Sequence, residues 1–440
     1  MHGTAKRNGW TALGSAIGSA GLALVIVSAS AGSARAEGSE APAAAPAEAP
    51  TTTLAQADAP PPAPPPPPPV VVAPTPPPPP PTASETMPAT RPEKLPPISV
   101  GAWTRVGGMF NNPNNPSQLN DWQMNNAYVE LHAGGKIHEK VGVTLNLNAN
   151  AVSYVTTTPV GLNPLVAVMD AIISFDAIDE FHVWAGRLLV PVDRANASGP
   201  FFMIPWNYPG FLTVGPTTLV TAPLEGPYGR NNGAVIWGDI KGGRLTYLAG
   251  VFDNANVATS PLWSGRVRLA LWDKEPGFWG NGSYFGEKNL VSIGLGGQYQ
   301  KNGSSTMMGQ KDWAEVNLDI LFEMKLGGGS FVTVEEAVYL NNVNDFGVSA
   351  SGYTLAAYAT PTLGYGNLQP MVRHQWAKVK ALDDLPWNID AGLSYLIKGP
   401  ALRLLATYSH TSLPAGVATP GATGMITANS IQLGAQAIFF

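Results

Sequence analysis

From Ser99 onward, apolar and polar residues alternate with a period of two in a series of short runs. In the run 141–150, every second residue is valine, leucine or alanine, and the residues between them are glycine, threonine or asparagine. The runs 314–324 and 387–395 follow the same rule with few exceptions. Such alternation indicates β-strands that have one apolar and one polar face.

These runs predict an all-β fold with about sixteen strands. We expect them near residues 99–110, 122–134, 140–155, 166–176, 180–189, 230–240, 243–253, 262–273, 288–301, 311–326, 329–341, 351–360, 368–379, 386–398, 401–411 and 428–440. Their connections alternate between short and long, with one exception at Lys274–Glu287, a fairly long link where a short turn is expected. The mean hydropathy is +0.03. Alternating strands, alternating link lengths and neutral hydropathy together predict a transmembrane antiparallel β-barrel over residues 98–440.

One long segment interrupts the alternation, between the fifth and sixth predicted strands. It runs from Leu188 to Arg230 and is rich in aromatic residues and proline. A long segment without regular structure inside a compact domain is often functional. We therefore expect residues 188–229 to fold into the barrel as a constriction loop. Its aromatic residues either pack the loop against the inner wall or form a stacking surface for sugars and similar solutes; they are Phe201, Phe202, Trp206, Tyr208 and Phe211.

The first 97 residues differ in composition from the rest. Positive charge at Lys6 and Arg7, an apolar stretch and the small-x-small site Ala34-Arg35-Ala36 predict a cleaved signal peptide over residues 1–36. Residues 37–97 are rich in proline and alanine. Proline runs favour extended polyproline II and cannot form a packed core, which predicts a disordered periplasmic linker. The alternative is a tether that contacts the cell wall.

Aromatic residues near strand ends, eight of them tryptophans, point to the lipid–water interface. The final predicted strand ends at Phe440, which resembles the signal read by the outer-membrane barrel assembly machinery. Its apolar series, Ile431 to Phe439 at every second residue, is one residue out of phase with Phe440.

These features together resemble a Gram-negative outer-membrane porin. More narrowly, Ala185-Gly186-Arg187, Gly229-Arg230-Asn231-Asn232-Gly233 and the region 243–252 resemble phosphate-selective porin O and P-like proteins. The resemblance covers residues 98–440 in architecture and about 187–270 in motif. It implies a homotrimeric diffusion channel in contact with outer-membrane lipid and lipopolysaccharide, whose third outer loop folds inward.

Porin selectivity depends on the pore radius and on the charges that line the constriction. The candidate constriction and selectivity residues are Arg187, Asp193, Arg194, Arg230, Arg266, Arg268, Glu315 and Asp319. Further charged residues expected to face the lumen are Arg105, Arg373, Arg403, Glu130, Glu323, Glu335 and Asp390. The arginines could form a wall that attracts anions. Alternatively, arginine and acidic side chains could pair across the lumen and neutralise each other.

The sequence predicts a porin that passes small hydrophilic solutes. The alternatives are a selective anion channel of the phosphate type and a non-conducting structural or adhesive barrel. The histidines are isolated, and Ser409 and His410 are adjacent in a strand, so their side chains face opposite sides. We therefore expect no enzyme activity, no cofactor and no metal site. Without cysteine there are no disulfides, and a net charge of −5 gives no reason to expect a nucleic acid partner.

Overall fold

The computed structural model describes residues 98–113, 121–123, 127–151, 166–209, 229–253, 260–306, 309–342, 354–379, 385–414 and 424–439. The predicted signal peptide, the predicted linker, Phe211 and Phe440 lie outside these ranges, and what we expect of them remains a prediction. Among the described residues, no helix is long and apolar enough to cross a membrane.

Almost all of the described chain is β-strand. The strands are β1 (Ile98–Pro113), β2 (Asp121–Gln123), β3 (Ala127–His138), β4 (Val141–Ala151), β5 (Val166–Ile178), β6 (Phe181–Leu189), β7 (Arg230–Ile240), β8 (Leu245–Phe252), β9 (Leu262–Ala270), β10 (Leu290–Thr306), β11 (Gly309–Gly327), β12 (Ser330–Asn341), β13 (Thr354–Tyr365), β14 (Leu368–Val379), β15 (Trp387–Lys398), β16 (Leu402–Pro414) and β17 (Met425–Phe439). The described residues also include a short helix, α1 (Arg194–Phe202).

The strands form a closed antiparallel ring. From β3 to β17 each strand pairs with the next along the chain, and β17 pairs with β1. The segments β2 and β3 pair with successive parts of β1, opposite Met109–Asn111 and Ile98–Arg105. Counted as one strand, they reduce the seventeen segments to sixteen. The prediction of an all-β antiparallel barrel of about sixteen strands is confirmed.

The two faces of the sheet have the polarity of a barrel that spans a membrane. On β11, Glu315, Asn317 and Asp319 are buried, whereas the outward Val316 and Leu318 are 55% and 42% exposed. The same inversion continues on β17, where Ile431 and other apolar residues of the predicted series face outward as far as Phe439. Apolar side chains that face outward and polar ones that face the lumen suit a barrel in lipid.

One end of the barrel has short turns. The turn between β11 and β12 needs backbone conformations that only glycine adopts easily, with φ of 88°, 59° and 78° at Gly327, Gly328 and Gly329. The connection 271–289 between β9 and β10 lies at the same end but is much longer. It includes the predicted exception Lys274–Glu287.

Most strand limits agree with the predicted ones to within a few residues. The largest differences are of five residues: β10, expected to end at residue 301, continues to Thr306, and β13, expected to end at residue 360, continues to Tyr365. Pro361 and Gly364 interrupt the alternation of residue types there, yet both continue the pairing with β12, opposite Val334 and Phe331. Pairing across strands therefore overrides the local pattern. Helix α1 was not predicted at all.

Candidate functional site

Two connections extend from the wall into the ring of strands. We call residues 190–209, the described part of the connection between β6 and β7, the β6–β7 loop, and residues 271–289 the β9–β10 loop. Both contact side chains on the inward faces of the strands, so the candidate site is the lumen that they share.

The β6–β7 loop begins on an apolar patch of the inner wall. Leu188 and Leu189 at the end of β6, followed by Val190 and Val192, are at most 1% exposed. They belong to one buried cluster with the inward residues Val235, Leu248, Phe252, Leu262 and Trp313 of β7, β8, β9 and β11. Apolar residues on an inward face are unusual in a wet barrel. Here they fix the direction in which the loop leaves the wall.

Asp193 turns the loop into helix α1. Its carboxylate accepts a hydrogen bond from the backbone N–H of Asn196 at 2.7 Å, which caps the helix. It also accepts from the hydroxyl of Tyr339 on β12 at 3.0 Å. Burial raises the pKa of Asp193 to about 6, although these two donors and Arg266 favour the ionised form. Gly199, with φ of 62°, then kinks the helix before Pro200.

The β9–β10 loop meets α1 inside the barrel. The N–H of Gly282 donates to the carbonyl of Phe202 at 3.2 Å, and the N–H of Gly280 donates to that of Ala197 at 3.4 Å. The loop is itself held to the wall. The Gly277 N–H donates to Asp239 of β7 at 2.6 Å, and the hydroxyl of Ser283 donates to Glu323 of β11 at 2.9 Å.

The two loops are joined by a buried ion pair. Arg194 of α1 donates to both carboxylate oxygens of Glu275 at 2.7 and 2.9 Å, and both side chains have no exposed surface. Arg194 also donates to the Asn281 carbonyl at 2.9 Å, and Ser292 of β10 donates to Glu275 at 2.5 Å. Burial alone would raise the pKa of Glu275, but Arg194, Arg268 and Ser292 hold that pKa well below its usual range.

Wall residues extend this network. Arg266 of β9 forms a bidentate pair with Asp319 of β11 and donates to the Val192 carbonyl at 3.1 Å. Arg268 donates to the carbonyls of Glu275 and Gly277 at 2.8 and 2.7 Å. Arginine is suited to such planar, multiple hydrogen bonds because its donors have a fixed geometry.

The far part of the β6–β7 loop reaches the opposite wall. Inward side chains on four strands hold carbonyl groups of the loop: Arg105 of β1 (Trp206 O, 2.6 Å), Arg373 of β14 (Asn207 O, 2.7 Å), Arg403 of β16 (Ile204 O, 3.3 Å) and Gln436 of β17 (Phe201 O, 2.9 Å). Because its two halves are fixed to opposite walls, the loop crosses the lumen.

Trp206 lies where two strands lack side chains. Its ring stands over Gly107 and Gly434, a directly paired couple on β1 and β17, and a Cβ added at Gly434 would overlap it. The Arg105 guanidinium lies 3.8 Å from the ring centroid, a cation–π contact. Phe201 and Phe202 contact Trp103 of β1, with ring centroids 5.2 and 5.5 Å apart.

Between the β6–β7 loop and the wall from β1 to β7 lies a cavity of about 570 Å³. A row of polar side chains in contact with one another lines it. Glu130 contacts His132 at 3.1 Å, His132 contacts Asn146 at 2.7 Å, Asn146 donates to Asp170 at 2.7 Å, and Arg230 donates to Asp170 at 3.3 Å. Trp103, Trp184, Phe202 and Trp279 supply aromatic surface.

The predicted site residues separate into groups. Five of them, Asp193, Arg194, Arg266, Arg268 and Asp319, come together where the loops meet the wall of β9 to β12. Arg230 instead lines the cavity. Glu315 is buried on β11 and accepts from Gln298 at 3.4 Å. Arg187 is not brought to the cluster: it is half-buried, and its Nε donates to the Val168 carbonyl at 2.8 Å. The selectivity role of each remains a prediction.

The predicted anchoring residues Phe201, Phe202 and Trp206 contact the wall as described, and Tyr208 lies on the same loop. Sequence reasoning missed Glu275, the second inserted loop and the Gly107–Gly434 pair. The only signal for the second loop was its length, at a position where a short turn is expected.

The structure is similar to those of outer-membrane β-barrel proteins. OmpF of Salmonella typhi, solved with daunomycin, matches with a TM-score of 0.52 and 11% identity over 77% of this chain and 97% of that one. The outer-membrane channel DcaP of Acinetobacter baumannii gives 0.48 and 10% over 78% and 97%. OpdK of Pseudomonas aeruginosa, solved with vanillate, gives 0.42 and 10% over 77% and 98%.

No protein-family model matches the sequence. No curated protein matches it either. At this identity, the likeness to OmpF shows the fold alone: the chain has a porin-like outer-membrane barrel fold.

Proposed function

We propose that the protein is a passive channel of a Gram-negative outer membrane for small hydrophilic solutes. The observation that carries this proposal is the cavity that remains beside the β6–β7 loop inside a closed barrel, with a row of polar side chains along an otherwise largely apolar lining. Contact with lipid follows from the apolar outward face. The predicted contacts with lipopolysaccharide, the assembly machinery and the cell wall, and the predicted trimer, remain predictions.

The solute path, in this proposal, follows the wall from β1 to β7. The ionisable groups that line the cavity are the carboxylates of Glu130 and Asp170, the guanidinium of Arg230, and His132. With His132 neutral, the two carboxylates and the one guanidinium add up to a net charge of −1. We therefore propose a modest preference for cations, because the charges at a constriction bias which ion enters.

The environment of the arginines that could have formed an anion-attracting wall supports a cation preference. Arg194, Arg266 and Arg268 are at most 4% exposed and are engaged by Glu275, Asp319 and loop carbonyls. An arginine that is already paired and covered adds little attraction for a passing anion. We do not extend phosphate selectivity to this chain.

Reversal potentials in planar bilayers under a potassium chloride gradient test the proposal. Wild type should conduct, with a reversal potential on the cation-selective side. Asp170→Asn should move it toward anion selectivity, whereas Asp312→Asn, an acid-to-amide change at an exposed residue of β11, should leave it unchanged. A shift of equal size in both variants, or anion selectivity in wild type, would refute the proposed path.

A non-conducting structural barrel is the second candidate. The meeting of two inserted loops through a fully buried ion pair favours it, because such a contact closes part of the lumen. The same bilayer recordings separate the two functions: folded, inserted protein that gives no conductance steps would support the structural barrel.

A further inference from the structure

The cavity beside the β6–β7 loop contains one carboxylate that has no arginine or lysine partner. Glu130 of β3 lines the cavity, accepts a hydrogen bond from the hydroxyl of Tyr128 and lies 3.1 Å from His132. Among the residues that the structure describes, no arginine or lysine forms an ion pair with it. The other carboxylate of the cavity, that of Asp170, is paired with Arg230 at 3.3 Å. A largely buried carboxylate without an ionic partner favours a cation beside it.

The nearby Arg105 of β1 does not take this place. Its guanidinium donates to the carbonyl of Trp206 at 2.6 Å and lies 3.8 Å from the centroid of the Trp206 ring. It therefore belongs to the contact between the loop and the wall, and it is not among the residues that line the cavity.

Aromatic rings lie around the same carboxylate. Trp103 of β1 is directly opposite Glu130 in the pairing of β1 with β3, so the two side chains leave the sheet side by side. The Phe202 ring is edge-on to Trp103, with centroids 5.5 Å apart. Trp184 of β6 and Trp279 of the β9–β10 loop also line the cavity. The faces of such rings carry partial negative charge and attract cations.

The other polar groups of the cavity are largely engaged with one another. Asn146 donates to Asp170 at 2.7 Å and contacts His132 at 2.7 Å, and Arg230 donates to Asp170. A neutral solute with many hydroxyl groups, such as a sugar, needs several free donors and acceptors to replace the water that it loses. An organic cation needs a net negative charge and aromatic faces, and the cavity has both. Its volume of about 570 Å³ is in the range of sites for small molecules.

We propose that this cavity binds organic cations that have an apolar or aromatic face, such as amines with one aromatic ring. The ammonium group lies against Glu130, and the apolar face contacts Trp103 and Phe202. This inference rests on the proposed function, because it names the class of solute that the channel prefers. It also accounts for the largely apolar lining, which a path for inorganic ions alone does not need.

Five small probes separate the contributions of charge and ring. Benzylammonium has both, benzyl alcohol has the ring without the charge, benzoate has the opposite charge, methylammonium has the charge without the ring, and glucose represents sugars. Calorimetric titration of the folded protein in detergent, with protein-free micelles as the blank, measures binding without requiring conduction. We expect benzylammonium to bind about tenfold more tightly than any of the other four.

Two matched substitutions locate the binding. Glu130→Gln should weaken benzylammonium binding about tenfold and leave benzyl alcohol binding unchanged, because it removes the charge and keeps the shape. Glu336→Gln is the same change on the outward face of β12, since Glu335 beside it faces the lumen and donates no surface to lipid. This control should bind like wild type. The heat-resistant mobility of the folded barrel verifies that both variants fold.

Bilayer recordings separate failure of this inference from failure of the proposed function. Benzylammonium should interrupt the potassium chloride current of wild type, and the interruptions should be about tenfold shorter in Glu130→Gln. A barrel that conducts but binds benzylammonium no better than benzoate or glucose would overturn the inference alone. So would equal weakening in Glu130→Gln and Glu336→Gln. A barrel that binds benzylammonium through Glu130 without any conductance would support the site and refute the channel.

Discussion

Replacing Glu275 by alanine tests whether the two loops hold each other inside the barrel. Glu275 is fully buried and receives hydrogen bonds from Arg194, Ser292 and Tyr284. Without it, the Arg194 guanidinium stays buried with carbonyl and hydroxyl partners and with the carboxylate of Asp319, which lies 3.4 Å away and already pairs with Arg266.

The expected loss of free energy from the contact between the two loops is large. Removing one partner of a buried ion pair costs about 3–5 kcal/mol, because the remaining charge loses its main compensation. At about 1.4 kcal/mol per tenfold change, the equilibrium between joined and separated loops should move by about two to four powers of ten. The cost falls on the loops and not on the ring of strands, because no strand pairing involves Glu275. We therefore expect a barrel that still forms but whose loops separate.

Single-channel conductance is the assay. Glu275→Ala should raise the mean conductance or its fluctuations, since loops that leave the lumen widen the path. The double variant Arg194→Met/Glu275→Leu should return most of the way to wild type, because a buried pair replaced by apolar residues of similar volume is often neutral. Asp312→Asn controls for the loss of one negative charge. Conductance of Glu275→Ala equal to that of wild type, with the barrel folded, would show that the pair does not hold the loops.

Two further predictions concern the same loops. Gly434→Ala should displace the Trp206 ring and destabilise the loop by about 1–3 kcal/mol, the usual cost of overpacking, seen as altered conductance; Gly265→Ala, where an added Cβ has room, should not. Acid should not release the loops between pH 7 and pH 5. The raised pKa of Asp193 means that its contribution favours the folded form as pH falls through about 6, and the depressed pKa of Glu275 means that its contribution is fully present above its ordinary pKa of 4.5 and is lost progressively only below that pH. A rise in conductance over this pH range would contradict the expected directions of both pKa shifts, upward for Asp193 and downward for Glu275.

The strands could be predicted because each residue of a membrane barrel faces either lipid or water, and the sequence alternates accordingly. On β11, only one register places the apolar Val316 and Leu318 on the outward face. The same register places the acidic Glu315 and Asp319 on the inward face. Where proline and glycine interrupt the alternation, as at Pro361 and Gly364, the pattern fades and the predicted strand ends too early. Pairing with β12 settles that limit, and pairing is a long-range property.

The loops were predictable only as anomalies of length. Composition showed that the segment after β6 is aromatic, but helix α1 depends on the cap at Asp193 and on contacts with β12, neither of which is a strong local signal. The β9–β10 loop is long at an end of the barrel that otherwise has short turns, and this length correctly marked it as unusual. No feature of the sequence around Glu275 shows that this glutamate is buried.

The sequence does not show which charged side chains pair with each other. These pairs decide whether the charges that remain beside the cavity favour cations or anions. Arg194 and Glu275 are 81 positions apart, and Arg266 and Asp319 are 53 apart. Which of the lumen arginines meets which carboxylate depends on height in the barrel and on the course of two loops across it. The composition alone left an arginine-lined anion path open. Once Arg194, Arg266 and Arg268 are engaged, the charges beside the cavity are those of Glu130, Asp170 and Arg230, which is the basis of the cation preference proposed above.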